Sequence, residues 1–92
     1  MLREMATNPV AIPQYEWQIY YECYDSWWTM PPRICKQLNG ALYYKAKVVE
    51  YTYLWDLKGP VTYHALFDEV NGYYVKNIRT NYKRPLKAYF PQ

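Results

Sequence analysis

The chain has little of what most active sites are assembled from. Its 92 residues hold two cysteines, one histidine and three glycines. Cys23 and Cys35 are too few for a disulfide scaffold, and their spacing fits no zinc pattern. His64 cannot complete a metal site alone. It is also not part of a Ser-His-Asp arrangement, and three glycines build no phosphate-cradling loop. Carboxylates occur at Glu16, Glu22, Asp25, Glu50, Asp56, Asp68 and Glu69, but no two form a catalytic motif. The expectation is a protein that is not an enzyme and needs no cofactor or metal. No apolar run approaches the ~20 residues that cross a bilayer. Met1–Gln14 lacks the apolar core of a signal peptide and reads as a flexible leader. With both thiols free, the expected compartment is reducing: nuclear, with cytoplasmic as the alternative.

What the chain does have is aromatic surface. It carries 13 Tyr, 4 Trp and 2 Phe within a hydrophobic fraction of 51%. Such a chain is not disordered. A buried tyrosine needs a partner for its hydroxyl, so so many tyrosines cannot all be core. Some must line a face or groove of a strand-rich domain. The net charge is +3, which permits an acidic or nucleic-acid partner without demanding one. The late basic residues Lys76, Arg79, Lys83, Arg84 and Lys87 read either as a solvated edge or as a binding face.

Along the chain, Trp17, Ile19 and Tyr21 alternate with Gln18, Tyr20 and Glu22, which is a strand pattern, and it breaks near Asp25-Ser26. Residues 15–30 are expected to form a β-hairpin extension, closed by Pro31-Pro32. Ile34, Cys35, Leu38, Ala41 and Leu42 fit a helical stripe. Asn39-Gly40 opposes it, because an internal Gly costs a helix about 1 kcal/mol and Asn-Gly is a hairpin signal. The expectation here is strand–turn–strand, Arg33 to Gln37 and Leu42 to Tyr51. Asp56 to Pro60 reads as a loop, Val61 to Asp68 as a strand, Asn71-Gly72 as a hairpin turn, and Tyr73 to Lys76 as its return strand. A short turn follows from Asn77 to Asn81, and Tyr82 to Phe90 can carry a last strand around Pro85. Four or five short antiparallel strands are stable if they close on themselves. The predicted class is therefore all-β, a small SH3-like barrel over residues 31–87, with 88–92 as a tail.

The landmarks from Pro31 to Lys87 resemble a Tudor domain. Arg33-Ile34-Cys35 looks like its opening strand and Asn39-Gly40 like its first turn. Tyr43-Tyr44-Lys45-Ala46-Lys47-Val48-Val49-Glu50 is similar to its second strand, and Tyr63-His64-Ala65-Leu66-Phe67-Asp68-Glu69 to its third. Phe67-Asp68-Glu69, Tyr74-Val75 and Arg84-Pro85-Leu86-Lys87 are similar to a Tudor repeat of the eggless-type SET-domain histone lysine methyltransferases. The resemblance implies a non-catalytic reader that binds a methylated lysine or arginine in a histone or ribonucleoprotein tail. A methylammonium keeps its charge and gains apolar surface, so ring faces hold it at ~0.5–2 kcal/mol per contact. The matching cage positions are Tyr44 and Phe67. Tyr73 or Tyr74 would be a further wall, and Asp68 or Glu69 the carboxylate. For these residues the plainer alternatives are barrel core and turn chemistry. The first strand ends in Lys36, Gln37 and Leu38, where readers often place an aromatic, so Trp27, Trp28, Trp55 or a neighbouring repeat would have to complete the cage.

Three other functions stay open. Arg79, Lys83, Arg84 and Lys87 with Tyr73, Tyr74 and Tyr82 could track and stack RNA or DNA. The hairpin could be a docking surface. Trp17 and Trp27-Trp28, followed by Tyr53-Leu54-Trp55-Asp56-Leu57, also resemble a WWE-type ADP-ribose binder, with Thr62 where that family usually has Gln.

Overall fold

The computed structural model describes residues 12–90; the first eleven residues of the expected leader lie outside them. The architecture is mostly β, as the sequence suggests. Six strands form one antiparallel sheet: β1 (Glu16–Tyr21), β2 (Ser26–Thr29), β3 (Val48–Trp55), β4 (Gly59–Leu66), β5 (Tyr74–Asn77) and β6 (Lys83–Tyr89). Their order is β2-β1-β6-β5-β4-β3, and the sheet curls into a half-barrel. The single helix among the described residues, α1 (Pro32–Tyr43), links β2 to β3 and packs on β1 and β3.

Two features go beyond the sequence reading or depart from it. First, the expected N-terminal hairpin forms, β1 against β2, and it is joined to the main sheet. β1 pairs with β6 from Glu16↔Tyr89 to Ile19↔Leu86, so it is an inner strand of the sheet. The expected tail from residue 88 accordingly begins inside β6. Pro85 is tolerated in β6 for a geometric reason. The Leu86 amide bonds the Tyr73 carbonyl on the β5 side, so the missing Pro85 donor faces β1, beyond the last pair of that ladder.

Second, residues 33–43 are helical where strand–turn–strand was expected, so Tyr44 caps a helix rather than sitting on a strand. The apolar stripe prevails over the Asn-Gly signal. Ile34, Cys35, Leu38 and Asn39 form the buried face. Pro32 occupies the first helical position, where a missing N–H costs nothing. Asn39 is a buried polar joint: its Oδ1 accepts the Trp17 indole N–H at 2.8 Å, and its Nδ2 donates to the Tyr15 carbonyl at 3.0 Å. The helix ends in a Schellman pattern, with Ala46 N–H on the Ala41 carbonyl and Lys45 N–H on that of Leu42. Lys45 takes the left-handed conformation there, φ 60°.

The core lies between α1 and the concave face of the sheet. Trp17, Ile34, Leu38, Ala65 and Val75 are its most enclosed members, and Ile19, Met30, Cys35, Tyr51, Phe67 and Leu86 complete it. Outside the core, Arg33 Nη2 and Gln37 Nε2 donate to the Thr52 and Glu50 carbonyls, at 3.3 and 2.8 Å. Side chains of α1 thus occupy the free edge of β3, which would otherwise invite another strand.

Candidate functional site

Strand alternation places Trp17, Ile19 and Tyr21 of β1 on the concave face, with Tyr51, Tyr53 and Trp55 of β3, Tyr63 and Ala65 of β4, Val75 and Asn77 of β5, and Arg84 and Leu86 of β6. The helix fills only one half of that face. In the other half the strands continue past it and leave a cavity of about 450 Å³. Its floor includes Ile19, Met30, Ile34 and Val75, and its walls are aromatic. This is the size and the apolar lining of a small-molecule site.

The polar groups of the cavity share one character. No Asp or Glu lines it, whereas Arg84 and Lys58 do. The Arg84 guanidinium lies 4.5 Å from the ring centre of Tyr21 and 4.8 Å from that of Tyr82. Two ring faces fix it, and its donors engage no carboxylate; no Lys or Arg among the described residues forms an ion pair. Lys58 stands 5.6 Å over the Trp55 ring. At the rim, the Tyr82 hydroxyl donates to the Glu22 carboxylate, which raises the Tyr82 pKa.

Tyr51 is 5% exposed and stacks on its cross-strand partner Tyr63, ring centres 5.4 Å apart. Its hydroxyl meets no hydrogen-bond partner among the described residues. Burial pushes its pKa far above the usual tyrosine range, with Tyr21 and Tyr63 adding to the effect. Burial likewise raises Tyr21. Both stay neutral near pH 7 and keep a proton to donate. The Tyr63 oxygen accepts the Trp55 indole N–H at 2.8 Å, so its proton is also free. Asn77 Oδ1 is taken by the amides of Arg79 and Thr80, at 2.9 and 3.3 Å, which leaves its amide N–H groups for a ligand.

Of the residues singled out from sequence as cage candidates, Trp28 and Trp55 line this cavity. The other cage candidates stand elsewhere. Tyr44 is 75% exposed at the end of α1, its ring edge-on to Tyr43. Phe67 is 6% exposed, enclosed by Trp17 and Tyr73 at 5.7 and 5.3 Å. The Asp68 carboxylate accepts the amides of Val70 and Asn71 and the Asn71 side chain, and these bonds hold its pKa down. Glu69 accepts the Tyr73 hydroxyl at 2.8 Å, and Tyr74 lies on the opposite face of the sheet under Lys83. The expected basic face divides: Arg84 and Tyr82 line the cavity, whereas Lys83 and Lys87 alternate to the convex side. Tyr21, Tyr51, Tyr53 and Tyr63 were missed as site residues. The usable signal was the period-two run of aromatics, continued past the length that a short helix can cover.

The chain matches no family model, no curated protein and no solved structure. Its function has to be taken from the cavity itself.

Proposed function

We propose that this protein is a non-catalytic binding module whose concave pocket takes an ADP-ribose unit. The observation that carries the proposal is Arg84, clamped between Tyr21 and Tyr82 in an aromatic cavity lined by no carboxylate. Such a site wants an anion joined to a flat ring. A purine can stack on the exposed tryptophan and tyrosine faces. A diphosphate can take charge-assisted bonds from Arg84 and Lys58. Ribose hydroxyls can meet the unpaired Tyr51 and Tyr63 protons and the Asn77 amide. Thr62 turns away from the cavity and meets Thr52 at 3.2 Å, so Asn77 supplies the amide that the pocket offers.

Ligand charge weighs against a methylated lysine or arginine in this pocket. A like charge at about 4 Å costs on the order of 4 kcal/mol near a protein surface. One ring face returns only ~0.5–2 kcal/mol. With Arg84 and Lys58 fixed there, a methylammonium gains less from the rings than it loses to the cations.

Calorimetric titration with ADP-ribose and with a trimethyl-lysine peptide tests the proposal. ADP-ribose should bind and the peptide should not. Arg84→Ala should weaken ADP-ribose by at least about tenfold, the worth of one hydrogen bond to a charged group, about 1.5–3 kcal/mol. Binding of the peptide alone, or an Arg84→Ala variant that binds ADP-ribose as wild type does, sinks it.

A further inference from the structure

The convex face of the sheet carries a second cluster, which the pocket does not use. One row crosses four strands in register: Glu50 faces His64, His64 faces Lys76, and Lys76 faces Lys83. Like charges directly opposite one another destabilise a sheet. Glu50 is hydrogen-bonded to His64 at 3.1 Å and no lysine among the described residues pairs with a carboxylate, so Lys76 and Lys83 stand opposed without one. Beside this row the face is aromatic. Lys83 lies 5.0 Å over the Tyr74 ring and Lys87 4.2 Å over the Trp27 ring. Tyr20 packs against Trp27 with ring centres 5.4 Å apart. Trp27, Lys83 and Lys87 are all exposed.

We propose that this convex face binds single-stranded nucleic acid. Lys76, Lys83 and Lys87 would meet phosphates, while Trp27 and Tyr74 offer ring faces to bases. Lys83 and Lys87 are four residues apart on one strand, about 13 Å, so they address different nucleotides. An open sheet surface suits an extended strand better than a compact ligand. Three carboxylates border the face: Glu50 on the edge strand β3, Glu16 one same-face position beyond the Gln18 that faces Lys87, and Asp25 in the β1–β2 turn, which accepts the Tyr20 hydroxyl; none of them faces Lys76 or Lys83. An anionic strand therefore relieves a repulsion that the free protein carries.

This inference is independent of the pocket. The test is fluorescence anisotropy of the full chain with labelled oligo-uridine and oligo-deoxythymidine. Three phosphate contacts predict a log–log salt slope of about −2, a loss of roughly twentyfold between about 50 and 200 mM salt. In Lys83→Ala/Lys87→Ala the slope should fall to about −0.7, with thermal stability unchanged or raised. Trp27→Ala should weaken binding by at least about fivefold. Excess ADP-ribose should displace nothing. Salt-insensitive binding, an undiminished slope in the double variant, displacement by ADP-ribose, or equally tight binding of polyglutamate would each overturn the proposal.

Discussion

Tyr51 separates stability from function at a single atom. Its ring is core, but its buried hydroxyl has no partner among the described residues. An unpaired buried hydroxyl costs about 1–3 kcal/mol. Tyr51→Phe should therefore leave the melting temperature unchanged or raise it, while weakening ADP-ribose roughly tenfold; calorimetry and thermal melts on one preparation read both. The pH dependence follows from the same group. Burial favours the neutral phenol, so the native state holds its proton more tightly than the unfolded chain does. That part of the stability is complete below about pH 10, the unfolded value, and is lost as pH rises beyond it. The Tyr51→Phe variant should lose less stability than wild type between neutral and strongly alkaline pH. Trp28 and Trp55 were legible from sequence because a tryptophan at a break or beside a loop stands out. Tyr21, Tyr51 and Tyr63 were not. A strand tyrosine reads the same whether or not its hydroxyl is satisfied, and only the fold reveals which.

Helix α1 is the element on which sequence and structure differ most. Asn39-Gly40 looks like a turn because both residues favour one locally. The deciding contact is not local: the Asn39 side chain is held by Trp17 on β1 and by Tyr15 just before it, more than twenty residues away. Asn39→Ala would strand the Trp17 indole N–H in the core and should cost about 2 kcal/mol in chemical denaturation. Gly40 gives the sharper test. A Cβ added there meets nothing within 4 Å, and the backbone is helical. Gly40→Ala should therefore stabilise the protein by about 1 kcal/mol. In a two-residue hairpin the same change would destabilise, so the sign distinguishes helix from turn. β3 is displaced as a consequence: it runs Val48–Trp55 rather than Leu42 to Tyr51, and β4 begins at Gly59, inside the expected loop. Other features are readable. The Asp25 break, the Lys58-Gly59 and Asn71-Gly72 turns and the alternation of β1 and β4 are all written in local residue types.

At the scale of the molecule, one helix too short for its sheet creates the site. Six strands curl around α1, yet α1 covers only one end of their concave face, and the uncovered end keeps the aromatic lining of a core. A strand-by-strand reading finds the sheet but not this mismatch, because the segment that forms the helix carries a local turn signal, Asn39-Gly40. The same sheet divides the basic C-terminal segment between two surfaces, so one sequence patch serves a pocket on one side and an open face on the other. The most direct measurement is an amide chemical-shift titration of the full chain with ADP-ribose. The pocket predicts shifts centred on Tyr21, Tyr51, Tyr63 and Arg84, with Lys87 further along β6 and Tyr44 at the helix end little changed. Shifts centred on Tyr44, Phe67 and Asp68, or none at saturating ligand, would contradict it.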